Sequence, residues 1–191
     1  MAESPSTPAA RAARRIARVE RGDVLIDRAG LAELPAETAR RLLREVLMWI
    51  SGAEYPPRGR ALTCALGKVA RGESLTLQGC QLISRGDSVR LAREAQAVAG
   101  HFVSPGAVWD GRWRVTGPQT PGARIGALGE AGLHLCPDRG NSPLPAASLQ
   151  ASPAVWQGEI LLAAPLAGLE NGWRAELVPR PRHDFAALIV H

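Results

Sequence analysis

Glycine and proline interrupt this chain too often for any architecture of long regular elements. Its 191 residues include 20 glycines and 15 prolines without a fixed period, which excludes a collagen-like repeat and predicts many short strands and turns. Apolar residues are 46% and charged residues 21% of the total, a composition that folds. The length suits one large domain or two small ones. The apolar run from Ile160 to Pro165 is far short of the roughly 20 residues that a membrane span needs, and residues 1–8 are polar rather than signal-like. The expectation is a protein that neither spans nor crosses a membrane.

The clearest helix lies between Pro35 and Gly52. Ala39, Leu42, Leu43, Val46, Leu47 and Ile50 follow one another at spacings of 3, 1, 3, 1 and 3, one face of a 3.6-residue period, with Pro35 at its start and Gly52 as its stop. Glu37 and Arg41 stand i,i+4 on its wet side. A stiff Tyr55-Pro56-Pro57 connector leads to a second helix over 58–69, with Leu62, Ala65, Leu66 and Val69 on one face and Gly72 beyond its end. Strands over 75–77, 80–83 and 89–91, separated by turns, predict a three-stranded antiparallel meander. Before these, residues 9–19 predict a helix with Arg11, Arg14, Arg15 and Arg18 and few apolar anchors, and Val24 to Ile26 a short strand.

After residue 95 the pattern changes to strand and turn. Val108-Trp109, Asp110-Gly111 and Arg112 to Val115 make the strongest hairpin signal, because Asp-Gly suits a two-residue turn with positive φ. Further strands are expected over 124–128, 154–156, 159–164, 173–177 and 185–190, with short helices near Glu130 and over 145–151. The predicted fold class is therefore α+β in two small units. Residues 20–95 form a helical pair with a three-stranded antiparallel meander, and residues 96–191 a mostly β unit with short helices.

Charge divides the chain differently. Residues 1–60 carry eleven Arg against eight acids, and residues 61–117 six Arg and one Lys against four, whereas residues 118–191 carry five Arg against six. The net charge of +5 thus originates in the first two thirds, the side from which a nucleic acid would be approached. Two basic features stand out. Arg58 and Arg60 lie at the start of the second helix, where backbone N–H groups already favour an anion. Arg112 and Arg114 share one face of the hairpin strand while Trp113 takes the other, so that one side could meet phosphates and the other pack inward.

The sequence carries no GxxxxGK[ST] loop, no HExxH and no GxSxG elbow. Gly126, Gly129 and Gly132 lack the spacing of a dinucleotide fingerprint and read as backbone turns. His134 and Cys136 have no second matching pair, and Cys64, Cys80 and Cys136 form no CxxC, so neither a metal centre nor a disulfide framework is expected. His183-Asp184, beside Arg180 and Arg182, has no nucleophile tied to it by spacing, and Arg85-Gly86-Asp87 falls in a tight turn.

Taken in order, LPAETARRLLREVLMWISGAEYPPRGRAL, ESLTLQGCQL, VRLARE, VWDGRWRV and SPAVWQGEILLAAPLAG resemble the region C-terminal to the catalytic domain of the tRNA(Ile)-lysidine synthetases of alphaproteobacteria. The resemblance runs from about Ala12 to His191. It implies a tRNA partner, a cytoplasmic location, and a part in converting the wobble cytidine of an isoleucine tRNA to lysidine, in which ATP adenylates the base and lysine displaces AMP. The family's Ser-Gly-Gly-x-Asp-Ser loop is nowhere in this sequence. No catalytic or metal-binding residue is therefore carried over, and ATP and magnesium would belong to a separate N-terminal ATP-pyrophosphatase domain. Residues 1–19 then read as the remnant helix of that missing domain, in a truncated gene model, a split gene or a relic. The tRNA contacts expected are Arg58, Arg60, Arg112 and Arg114. Two other readings stay open: a self-standing protein-interaction domain, and a small enzyme of unknown class.

Overall fold

The computed structural model describes residues 8–179 and Phe185. Two compact units emerge: Met1–Arg93 with Pro181–His191, and Glu94–Arg180. Both mix helices with antiparallel sheet, so the fold class is α+β.

The first unit opens with α1 (Pro8–Ile16), a hairpin of β1 (Ala17–Glu20) and β2 (Asp23–Asp27), and the short α2 (Arg28–Ala32). The longer α3 (Ala36–Ser51) and α4 (Gly59–Ala70) follow, then β3 (Leu75–Leu77), β4 (Cys80–Arg85) and β5 (Ser88–Arg93). Ala39, Leu42, Leu43, Val46, Leu47 and Ile50 of α3 are all buried, as is the Leu62, Ala65, Val69 stripe of α4, while Leu66 is half-buried. Gly52 closes α3 in the left-handed conformation, its N–H on the Met48 carbonyl at 2.9 Å. The expected meander is present, but the sheet is larger than expected. The β1–β2 hairpin adds to it through β2, giving five strands in the order β1-β2-β5-β4-β3, every pair antiparallel. Val24, Leu25 and Ile26 register with Leu91, Arg90 and Val89, which buries all three.

The N-terminal helix is shorter than expected, because Ala17 to Glu20 pair with β2 instead of continuing it. It also has support within this unit: Ala12, Ala13 and Ile16 are buried, and α1 packs on α3. Small side chains, which hydropathy spacing undervalues, let the two helices approach closely.

Arg28 ties three parts of the unit together. Its Nε and Nη2 donate to the carbonyls of Val69 and Ala70, both at 3.1 Å, and its Nη1 to that of Gly86 at 2.6 Å. Helix-end carbonyls lack intrahelical donors, and a cation there also suits the dipole. The Arg85-Gly86-Asp87 turn is thereby an internal attachment point, since Asp87 also accepts from the Arg28 N–H at 2.9 Å. Arg90 of β5 is 14% exposed and pairs with Glu20 and with Asp23, the latter at 2.9 Å. This ion cluster joins the hairpin to β5.

The second unit contains α5 (Ala95–Val98), β6 (Val108–Trp109), β7 (Trp113–Thr116), β8 (Ala123–Ala127), α6 (Gly129–His134), α7 (Ala146–Gln150), β9 (Pro153–Gln157), β10 (Ile160–Ala163) and β11 (Arg174–Leu177). They form two three-stranded antiparallel sheets, β10-β9-β8 and β11-β7-β6. Trp109, Trp113 and Trp173 lie in its core with Val115, Ile125, Leu128, Leu149 and Val155. Gly126 has a packing role: a Cβ there would lie 2.4 Å from Cε1 of Phe102, so the aromatic ring occupies the space that a side chain would take.

Phe185, the one described residue of the strand expected over 185–190, is instead helical and buried, its ring centroid 6.3 Å from that of Trp49. Residues 186–190 and the Arg180 to Asp184 segment lie outside the described residues.

Candidate nucleic-acid interface

An amphipathic helix that commits one face to the core leaves the other for charge. On α3 that outer face carries Glu37, Arg40, Arg41 and Arg44. Across from it, Pro56, Pro57, Gly59 and Leu62 supply a second wall, and the two enclose a cleft of ≈ 260 Å³. The prolines hold the connector extended. Arg58 caps the start of α4 with extended dihedrals but no side-chain bond to the helix, and Arg58 and Arg60, both exposed, flank the wall residue Gly59. The first N–H groups of α4 have no intrahelical acceptor, which adds a partial positive charge to this end.

The sign of the field in the cleft can be read from Glu37. A hydrogen bond and the charge of Arg40, with Nη2 2.7 Å from Oε2, hold its carboxyl below the usual carboxylate range, and Arg41 and Arg44 push the same way. Burial would act oppositely and is overcome. The pairing expected from spacing, Glu37 with Arg41, is thus replaced by the i,i+3 pair with Arg40. Arg44 reaches its neighbour Glu45 at 2.8 Å. Three arginines and one carboxylate of α3 line the cleft, so an incoming anion meets a net positive wall.

A larger cleft of ≈ 440 Å³ on the same unit is lined by Arg15 and Arg18 but also by Asp27 and Asp87. Asp27 already accepts from the Gly30 N–H at 2.6 Å. Its charges balance, and it offers an anion no comparable preference.

Of the four expected contacts, Arg58 and Arg60 flank a wall residue of the cleft without lining it, whereas the arginines that do line it are Arg40, Arg41 and Arg44, on the face that helical spacing predicts as solvated. The signal that marks those three is the spacing of arginines on the wet side of the most regular helix. Arg112 and Arg114 belong to the second unit and do not share a face. Asp110 and Gly111 do adopt the positive φ of 49° and 62° expected for Asp-Gly, and the Arg112 N–H donates to the Trp109 carbonyl at 3.1 Å. Pairing then resumes one residue late, Trp109 opposite Trp113, so that Arg112 is an extra residue in the bend. It is only 3% exposed, with Nε 3.6 Å from Oδ2 of Asp110, and its carbonyl accepts from Val178 at 2.8 Å. The structure thus removes Arg112 from the solvent-facing set. Arg114 is exposed on β7, with Glu176 directly opposite on β11.

His134 and Cys136 turn back on their own helix. His134 Nδ1 lies 2.9 Å from the Glu130 carbonyl, and the Cys136 thiol donates to that of Gly132 at 3.4 Å. Burial pushes the Cys136 thiol up, which favours its inert protonated form. Among the described residues no group of three or more His, Cys, Asp or Glu is placed to hold a metal ion, and no helix is long and apolar enough to cross a membrane.

No protein-family model matches the chain. Individual relatives do. A tRNA(Ile)-lysidine synthase of Ruegeria pomeroyi is 47% identical over 180 residues, covering 94% of this chain and 43% of that protein. A tRNA(Ile)-lysidine synthase of Caulobacter vibrioides is 35% identical over 113 residues, 54% of this chain and 28% of the relative. One from a Wolbachia of Brugia malayi is 33% identical over 91 residues, 44% and 21% of the two lengths. The chain spans less than half the length of each of these relatives. By sequence the chain is homologous to a portion of the tRNA(Ile)-lysidine synthases, consistent with their C-terminal part.

Proposed function

We propose that this chain is the tRNA-binding portion of a tRNA(Ile)-lysidine synthase and grips the sugar–phosphate backbone in the arginine-lined cleft of its first unit. The observation that carries this reading is the row of Arg40, Arg41 and Arg44 along one wall of the cleft, around an exposed carboxylate whose proton affinity they depress, with the exposed Arg58 and Arg60 flanking Gly59 of the opposite wall. Guanidinium forks match phosphate oxygens two at a time. Such contacts position an RNA without reading its sequence, so several tRNAs should bind alike.

The reading assigns ATP and magnesium no place in this chain, in keeping with a sequence that carries neither a GxxxxGK[ST] nor a Ser-Gly-Gly-x-Asp-Ser loop. In this proposal a separate ATP-pyrophosphatase domain supplies the chemistry in the cytoplasm, and this chain alone forms no lysidine.

Each phosphate neutralised releases close to one counterion, so affinity should fall linearly with the logarithm of salt concentration. Anisotropy titrations of labelled tRNA at several salt concentrations test this. Changing both Arg58 and Arg60 to Gln should weaken binding and flatten the slope by about one to two units, with an unchanged melting temperature. Absence of tRNA binding at low salt, or an unchanged slope in the double variant, would overturn the reading. A protein-contact module ranks second: Leu135 and Ile160 of the second unit are 59% and 64% exposed, but apolar residues exposed singly are ordinary on monomers.

A further inference from the structure

We propose that Tyr55 is a stacking platform for an unpaired base of the RNA held in the arginine cleft. The inference rests on the reading above and adds to it the structural class of RNA that this site prefers. Tyr55 is the chain's only tyrosine, and at 74% its ring is more exposed than any other large apolar side chain described. An exposed ring on a slack loop would mean little, but this one has a fixed base. Gln78, in the β3–β4 turn with a φ of 54°, donates through Nε2 to the Tyr55 carbonyl at 2.7 Å, and the same nitrogen lies 3.5 Å from Sδ of Met48 on α3. The polar side chain that anchors Tyr55 thus comes from the sheet and touches the helix that carries the arginines.

On its other side Tyr55 runs directly into Pro56 and Pro57, two wall residues of the cleft. Two residues of extended chain reach at most about 7 Å, so the anchored Tyr55 backbone stands one short step from the proline wall of the cleft that Arg40, Arg41 and Arg44 also line. A cationic groove beside an aromatic face is the combination that holds single strands: charge follows the backbone, and the ring takes whichever base is unstacked. Paired bases lie inside a duplex and offer no free face, which makes loops and ends the preferred target.

The test uses the whole chain and three RNA probes: a tRNA, a single-stranded oligonucleotide and a blunt duplex of the same charge. Tyr55→Ala should weaken tRNA and single-strand binding by roughly 5- to 100-fold, the range that base–aromatic stacking carries. Duplex affinity and the salt slope should stay at wild-type values, because no cation is removed. Tyr55→Phe should restore binding. An equal loss on all three probes, or no loss on any, would overturn the stacking role while leaving the arginine cleft in place. Wild-type protein that binds none of the three would overturn both readings. If Tyr55→Ala proves unstable, Tyr55→Leu keeps an apolar side chain without a stacking face and should show the same selective loss.

Discussion

In the first unit, two helices set aliphatic side chains onto a sheet at helical intervals; in the second, a core of tryptophans is enclosed by short strands and bends. The first solution separates inside from outside along each helix. The arginines on the outer face of α3 therefore stay at the surface, Arg40 and Arg44 in solvent-accessible pairs with Glu37 and Glu45. The second solution depends on individual fits, such as Phe102 over Gly126, and it draws a charged residue, Arg112, into the interior. An arginine counted in the sequence therefore need not add to the positive surface.

The most disruptive way to probe this contrast is to truncate each core. Trp109 is fully buried and donates through Nε1 to the His101 carbonyl at 2.8 Å, so Trp109→Ala should cost about 3–5 kcal/mol. Leu43, at 1% exposure, should cost about 2–5 kcal/mol as Leu43→Ala. Denaturant midpoints decide it, and a Leu43→Ala midpoint equal to that of a surface variant would remove α3 from the core. A sharper probe is the arginine pair of the hairpin. Arg112→Ala leaves Asp110 with a poorly solvated charge and should lose roughly 3 kcal/mol, whereas Arg114→Ala should stay within about 0.5 kcal/mol of wild type. Equal midpoints for the two variants would return Arg112 to the surface.

The smallest effect concerns Glu37. Its folded-state affinity for a proton is lowered by Arg40, so its contribution to stability is present above the unfolded carboxylate value and lost as pH falls through the lower folded value. Wild type and Glu37→Gln should differ slightly near neutrality and converge on acidification. Curves that diverge at low pH would contradict the direction of the shift.

Helix α3, the position of α4 and the meander were legible because apolar spacing and Gly52 state them directly. The five-stranded sheet was not, because joining the hairpin to β5 depends on long-range register that no local pattern encodes. The N-terminal helix was misjudged for a related reason: alanines signal weakly in sequence yet permit close packing. At the candidate site, the helix start with Arg58 and Arg60 could be read from Pro56-Pro57. Arg40, Arg41 and Arg44 could not be assigned to it, since their cleft exists only once α4 folds back beside α3. Arg112 was misplaced because strand alternation was applied across a bend that holds one extra residue.

Arg28 makes a set of contacts that a lysine could not, in a chain with 22 arginines beside Lys68 alone. Its guanidinium reaches three carbonyls on two separate elements at once, a geometry that the single nitrogen of an ammonium cannot reproduce. The end of α4 and the β4–β5 turn are therefore mechanically linked by one planar group, and local opening of either exposes the other. Amide protons in these distant stretches should exchange with solvent as one cooperative set rather than fraying independently.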